Sequence, residues 1–186
     1  MLGLGRSRSS LPSQLFDAFS THRKITLCLS SSQGVVLLGN IPYDSHILKS
    51  LTFTPLLVTN FPSHEYFINV NAVKINGKRL SFDTSSQFFE GAITLLSSIV
   101  PYTTMQSSIY ATFKTAFVEG AVSMNMTEVG SVEPFEVCFR SGGVVPVIEL
   151  VLQSEMVKWS INERNSMVRV SDEVMCLGFL DGGVNP

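Results

Sequence analysis

Apolar side chains recur along this chain at two different spacings, and the switching between them sets the expected elements. Over residues 66–75, Tyr66-Phe67-Ile68-Asn69-Val70-Asn71-Ala72-Val73-Lys74-Ile75 alternates polar and apolar for most of its length, the period of a half-buried strand. It runs into Asn76-Gly77, a favoured pair for a type I′ turn, and returns through Lys78-Arg79-Leu80, which predicts a hairpin. Two shorter β-rich runs, 24–29 and 35–38, flank a five-residue loop and predict a second hairpin. Spacings of three and four link Met105, Ile109, Phe113, Ala116 and Phe117. They predict a long helix over 101–120 with one apolar stripe, Pro101 in its first turn and Gly120 at its end. A shorter helix is expected over 11–19, with Pro12 near its start and Leu15, Phe16 and Phe19 on one side. Between 40 and 61, Pro42 and Pro55 suggest an extended connector with one strand at 51–54. The remainder holds short runs at 135–139, 147–152, 157–161, 167–170 and 174–179, each bounded by turn residues. Many short strands and few helices predict a mainly β chain with a barrel or sandwich-like lobe.

Composition narrows the classes. The 186 residues are 45% hydrophobic and 15% charged, enough apolar material for a buried core. A net charge of −2 leaves no electrostatic footprint for nucleic acid. The basic residues Arg6, Arg8, His22, Arg23 and Lys24 are interrupted by serines and apolar residues, and read as solvated loop ends. No apolar run reaches the roughly 18–20 residues that span a bilayer, so no membrane association is expected. The first residues show no basic segment leading into an apolar core and a cleavage site, so no signal peptide is visible in this chain.

Candidate chemistry is sparse. Cys28, Cys138 and Cys176 are too few and too far apart for a Cys-x-x-Cys zinc site. They read as buried thiols, or as disulfide cysteines with one partner outside the chain. His22, His46 and His64 stand apart from one another and from every cysteine. There is no Gly-x-Ser-x-Gly elbow, and Gly3-Leu4-Gly5 lacks the third glycine of a dinucleotide loop, so neither metal nor cofactor is expected. Aspartic-peptidase chemistry needs two carboxylates sharing a proton, each carried on an Asp-Thr/Ser-Gly turn. Asp83-Thr84-Ser85 comes nearest and lacks the glycine. Asn125-Met126-Thr127 is the one Asn-x-Ser/Thr sequon, which makes Asn125 a candidate glycosylation site.

The run Gly3-Leu4-Gly5-Arg6-Ser7-Arg8-Ser9-Ser10-Leu11-Pro12-Ser13-Gln14-Leu15 resembles a hallmark stretch of plant pepsin-like proteins. The branch is that of xylanase inhibitors, extracellular dermal glycoproteins and basic globulins. Further similar stretches come in order: Cys28-Leu29-Ser30-Ser31-Ser32, Tyr66-Phe67-Ile68-Asn69-Val70, Ile75-Asn76-Gly77, Val100-Pro101-Tyr102-Thr103 and Cys176-Leu177-Gly178-Phe179. Each alone is weak; their joint order is specific and spans nearly the whole chain.

The resemblance implies part of a bilobal pepsin-like acid-protease fold. Residues 1–55 would be the end of the N-terminal lobe plus the inter-lobe connector, and 56–186 a truncated C-terminal lobe. The first catalytic motif and the signal peptide would belong upstream of Met1, and the closing strands after Pro186. Counting back from Pro101-Tyr102 places Gly91-Ala92-Ile93-Thr94 where active members carry Asp-Ser/Thr-Gly-Thr, so Gly91 holds the position of the second aspartate. A glycine cannot move a proton, which argues against a peptidase. The resemblance also implies a disulfide between Cys138 and Cys176, with Cys28 paired outside this chain. The expected function is a non-proteolytic binding protein, extracellular or in the cell wall, whose partners are microbial glycoside hydrolases such as a xylanase or endoglucanase. The alternatives are an aspartic endopeptidase with catalytic residues outside this chain or displaced to Asp83, and a seed storage-type globulin.

Overall fold

The computed structural model describes residues 4–29, 33–40, 42, 51–58, 64–82 and 92–184. The chain forms two compact units, Met1–Phe67 and Ile68–Pro186.

The first unit contains helix α1, Leu11–Phe19, and the hairpin of β1, Ile25–Cys28, with β2, Val35–Leu38. Ser10 caps α1, its side chain accepting from the Ser13 backbone N–H, and Pro12 sits in the first turn where its missing N–H costs nothing. Phe16 is buried, but Phe19, expected on the same side, is 65% exposed at the last turn, just before Ser20 ends the helix in the left-handed conformation. The hairpin pairs as the pattern predicts, from Ile25 opposite Leu38 to Cys28 opposite Val35. Residues 51–54 are irregular rather than a strand. Near the start of the unit, the Arg6 N–H donates to the His64 carbonyl at 2.8 Å, and the Tyr66 hydroxyl donates to the Leu4 carbonyl at 3.0 Å. A Cβ on Gly5 would lie 2.9 Å from the His64 carbonyl oxygen, so this close approach of two backbones requires glycine.

The second unit is mainly β. Its strands are β3 (Phe67–Val70), β4 (Ala72–Ile75), β5 (Lys78–Arg79), β6 (Ala92–Leu95) and β7 (Thr103–Met105), followed by helix α2, Ser107–Ser123. After it come β8 (Glu128–Val129), β9 (Cys138–Arg140), β10 (Ile148–Val151), β11 (Lys158–Ile161), the short helix α3 (Glu163–Ser166), β12 (Met167–Arg169), β13 (Val174–Leu177) and β14 (Phe179–Asp181). Two four-stranded sheets result, ordered β11-β10-β4-β5 and β12-β13-β9-β8, with two-stranded pairs β14-β7 and β3-β6.

The predicted hairpin over Asn76-Gly77 forms, with φ of 50° and 79° at the two turn residues, as a type I′ turn demands. The strand leading into it is not continuous. Alternation breaks at Asn71, where Val70, Ala72 and Val73 are all buried. The chain bends there, so β3 joins one sheet and β4 joins another. The Asn71 N–H donates to the Val151 carbonyl at 2.8 Å, and the Asn69 amide donates to the Asn71 side chain at 2.8 Å.

The long helix starts six residues later than its pattern suggests. Thr103–Met105 is drawn instead into a parallel pair with β14, Phe179 opposite Thr103 and Asp181 opposite Met105. Gly120 does not end the helix. It sits within α2 against Ile75 and Pro146, where an added Cβ would stand 3.4 Å from Ile75 Cγ2, and the helix runs on to Ser123. The expected stripe is buried only in part: Phe113 and Phe117 are in the core, whereas Ile109 and Ala116 are half-buried and Met105 lies on β7. The buried face runs instead through Tyr110, Phe113, Phe117 and Ala121, in one core cluster with Val73, Ile75, Phe139, Ile148, Leu177 and Phe179. The run at 174–179 also divides, because Gly178 leaves the β13 ladder: its N–H donates to the Ser166 carbonyl at 2.8 Å, and its carbonyl accepts from Thr103 at 3.1 Å.

Candidate functional site

The resemblance directs attention to β6 and the segment after it. Gly91, and Asp83 with its neighbours Thr84 and Ser85, lie outside the described residues, as does His46. Ile93 and Thr94 lie on β6, which pairs with β3. From Ile93 to Phe113 the sequence contains no Asp, Glu, His, Lys, Arg or Cys. General acid–base catalysis needs a titratable group within hydrogen-bond reach of the reacting atom, and this stretch supplies no carboxylate, imidazole, amine or thiol. What it presents is apolar contact: Ile93 is 63% exposed, and Leu95, Leu96, Ile99 and Val100 are exposed beside it. Ser97 Oγ accepts from the N–H groups of Ile99 and Val100 and holds the turn between them.

Carboxylates gather at the start of α2, in an arrangement that is not a dyad. Asp181 Oδ1 accepts from Ser107 Oγ at 2.7 Å and from the Gly183 N–H at 2.8 Å, and these bonds hold its carboxyl below the usual aspartate value. Glu136 is engaged by Lys114 at 2.7 Å, and the Lys114 ammonium also stands 5.5 Å from the centre of the Tyr110 ring. Tyr110 is buried, and its hydroxyl has no partner among the described residues. Burial, aided by the charges of Glu136 and Asp181, pushes the phenol up to about 12. Each acid therefore has its own donor or cation, and the phenol stays neutral. Neither carboxylate is placed to share a proton with the other in the way an aspartic peptidase requires.

On the opposite outer face of β4 and β10, Glu155 bridges Lys74 and Arg79, and Lys158 pairs with Glu149 at 3.1 Å. The hydrogen bond from Lys74 and the nearby cations hold Glu155 below its ordinary value. These are surface pairs joining strands rather than reactive groups.

Cys138 and Cys176 are joined by a disulfide. They face each other in the β9–β13 register with Cα atoms 4.0 Å apart, both fully buried, and Phe135 packs against them. Tyr102 adds an edge-on contact to Phe135, ring centres 4.9 Å apart. Cys28 is an exposed free thiol at the end of β1. Asn125 is exposed just past α2 with φ of 63°, Met126 is buried, and Thr127 is exposed. His22 and His64 are exposed, and among the described residues no group of three or more His, Cys, Asp or Glu could hold a metal ion. Sequence reasoning missed the tie of Ser107 to Asp181, which depends on the parallel pairing of β7 with β14, for which the local pattern carries no signal. It also missed the burial of Tyr110, which its spacing of three from Phe113 on the same helix face could have shown.

The profile described as "Xylanase inhibitor C-terminal" matches residues 65–186, and that described as "Xylanase inhibitor N-terminal" matches residues 1–40. This chain belongs to the xylanase-inhibitor branch of the plant pepsin-like proteins. Within that branch it is 42% identical to "Probable aspartic proteinase GIP2" of Nicotiana benthamiana over an alignment covering 100% of this chain and 48% of that protein. It is 34% identical to "Gamma conglutin 1" of Lupinus angustifolius, covering 99% and 46%. Among solved structures it superposes on that of "edgp" with a TM-score of 0.87 at 43% identity, covering 100% of this chain and 52% of that one. Basic 7S globulin from soybean gives 0.84 at 32% identity, covering 100% and 48%. The chain thus spans about half the length of the xylanase-inhibitor-type relatives it matches, and its fold is that half of a pepsin-like protein. The alignment with the N. benthamiana relative runs to 215 positions against 186 residues here, so that relative carries residues within the matched region that this chain lacks.

Proposed function

We propose that this chain serves in a non-proteolytic, pepsin-fold binding protein acting outside the cell or in the cell wall, whose partners are microbial glycoside hydrolases of the xylanase or endoglucanase type. The observation that carries the reading is the match to the xylanase-inhibitor C-terminal profile over 65–186, joined to a sequence from Gly91 to Phe113 that holds no Asp, Glu or His. In this reading Gly91 stands in place of an aspartate, residues 1–55 complete an N-terminal lobe and connector, and residues 56–186 belong to the C-terminal lobe. The exposed apolar run from Ile93 to Val100 supports a role in contact rather than catalysis.

The test is inhibition. Protein carrying this chain is titrated into a panel of fungal and bacterial xylanases and endoglucanases, and saturable loss of hydrolysis for at least one of them is expected. Pepstatin-sensitive cleavage of a protein substrate at acidic pH, lost in Asp83→Ala, would instead establish the endopeptidase reading. The relatives named gamma conglutin and basic 7S globulin favour a third reading, a storage-type globulin. Accumulation confined to maturing seed, with no inhibition across the panel, would select it.

A further inference from the structure

The second unit contains a cleft that neither the pepsin-like dyad nor the proposed partner accounts for. It lies between α3 and the rim of the β12-β13-β9-β8 sheet and has a volume of about 260 Å3. Its floor is apolar: Met175 is buried on β13, and Met167 is half-buried on β12. Arg169 stands directly opposite Met175 in the β12–β13 register, and two-residue alternation puts Met167 on the same face. Helix α3 contributes Arg164 and Glu163 to the wall, and Ser141 closes the end beyond β9.

Two features point to a ligand. Arg164 is exposed and makes no ion pair among the described residues. Among those residues Arg169 reaches the exposed Asp172, at 4.0 Å, and its backbone carbonyl at 3.4 Å, which leaves most of the guanidinium fork open to a ligand.

We infer that this cleft binds a carboxylate attached to an apolar body of about amino-acid size. The planar guanidinium groups match a carboxylate in paired hydrogen bonds, whereas a lysine would offer only a point charge. The methionine floor adapts to an aliphatic or aromatic group of irregular shape. Glu163, on the same wall, opposes any anion, and a doubly charged phosphate more strongly than a single carboxylate. The cleft is open to solvent on one side, and its volume of about 260 Å3 accommodates a group of residue size.

The experiment is methyl NMR on the full 186-residue chain labelled at its methionine methyl groups, with Met167 and Met175 assigned by replacement with leucine. N-acetyl-leucine is expected to shift both signals saturably, and N-acetyl-leucinamide, which lacks the carboxylate, to bind at least tenfold more weakly. Arg169→Gln and Arg164→Gln should each weaken binding about tenfold and leave the other methionine signals in place. Hexanoate separates the sources: binding equal to that of N-acetyl-leucine assigns the site to free carboxylic acids, and preference for N-acetyl-leucine assigns it to peptide carboxylates. Equal binding of the amide, indifference to both arginine replacements, shifts confined to other methionines, or no shift at all would each overturn the inference.

Discussion

Ser107 donates its hydroxyl to the carboxylate of Asp181 at 2.7 Å, across 74 residues of sequence, and so fastens the first turn of α2 to the last strand of the unit. The Ser107 N–H donates to the Gly183 carbonyl at 2.9 Å, and the Gly182 N–H donates to that of Met105 at 2.7 Å, so the junction is closed by backbone and side chain together. The start of α2 has no side-chain cap of its own at Gln106, and this long-range junction stands in its place.

Asp181→Asn and Ser107→Ala should both lower the melting temperature at neutral pH. The carboxyl of Asp181 is more acidic in the folded chain than in the unfolded one. Its stabilisation is therefore complete above the ordinary aspartate value of about 3.9 and is lost as pH falls through the lower folded value. Melting curves between pH 2 and pH 7 check this: the gap between wild type and Asp181→Asn should narrow below pH 4. A gap that stays constant down to pH 2 would place the stabilisation elsewhere.

Tyr110 predicts the alkaline limit. Its folded value of about 12 lies above the unfolded value near 10, so the stability tied to its neutral phenol is intact below pH 10 and lost as pH rises towards 12. Tyr110→Phe removes the buried, unpartnered hydroxyl and should be neutral or stabilising by about 1 kcal/mol at pH 7, with a smaller loss of stability above pH 10. Denaturant titration at pH 7 and pH 11 reads both quantities. Strong destabilisation at pH 7 would mean that the hydroxyl has a partner after all.

Reduction of the Cys138–Cys176 bridge should cost about 4 kcal/mol in the chain-entropy description of a loop of this length. Peptide mapping of unreduced protein should recover these two cysteines linked and Cys28 open to an alkylating reagent. Finding Cys28 linked to either of them would contradict the pairing.

Asn125 should carry a glycan when protein containing this chain passes through a secretory pathway. Its side chain is exposed past the end of α2, and Thr127, the sequon's third residue, is exposed as well. Loss of the mass increment on enzymatic deglycosylation, and its absence in Thr127→Val, are the expected results. A wholly unmodified peptide from secreted material would count against the site.

Local signals in the sequence carried the features that depend on neighbours in the chain. Asn76-Gly77 specifies its turn because few other pairs tolerate two positive φ values in succession. The Phe113 and Phe117 stripe specifies its buried face because helical spacing alone brings those rings together, 6.1 Å apart. Features set by distant partners were not legible. Thr103 and Thr104 are competent strand formers, but only β14 decides that they pair rather than begin the helix. Asn71 resembles any polar position in an alternating strand until β10 claims its N–H. The candidate site divides in the same way. The disulfide came through resemblance, whereas the arginine-lined cleft draws Ser141, Arg164 and Arg169 from separate segments, none of which carries a motif.

The parallel pairing of β7 with β14 also has a consequence for synthesis. At a ribosomal rate of about 5–20 residues per second, the strand that receives Thr103–Met105 is translated roughly 4–15 seconds after the segment it receives. Throughout that interval α2 can coil on its own, but its first turn has no anchor and its aromatic face lacks Phe179. The nascent chain therefore holds an apolar helix in waiting, and factors that shield such surfaces on the ribosome should bind this segment until Asp181 has emerged.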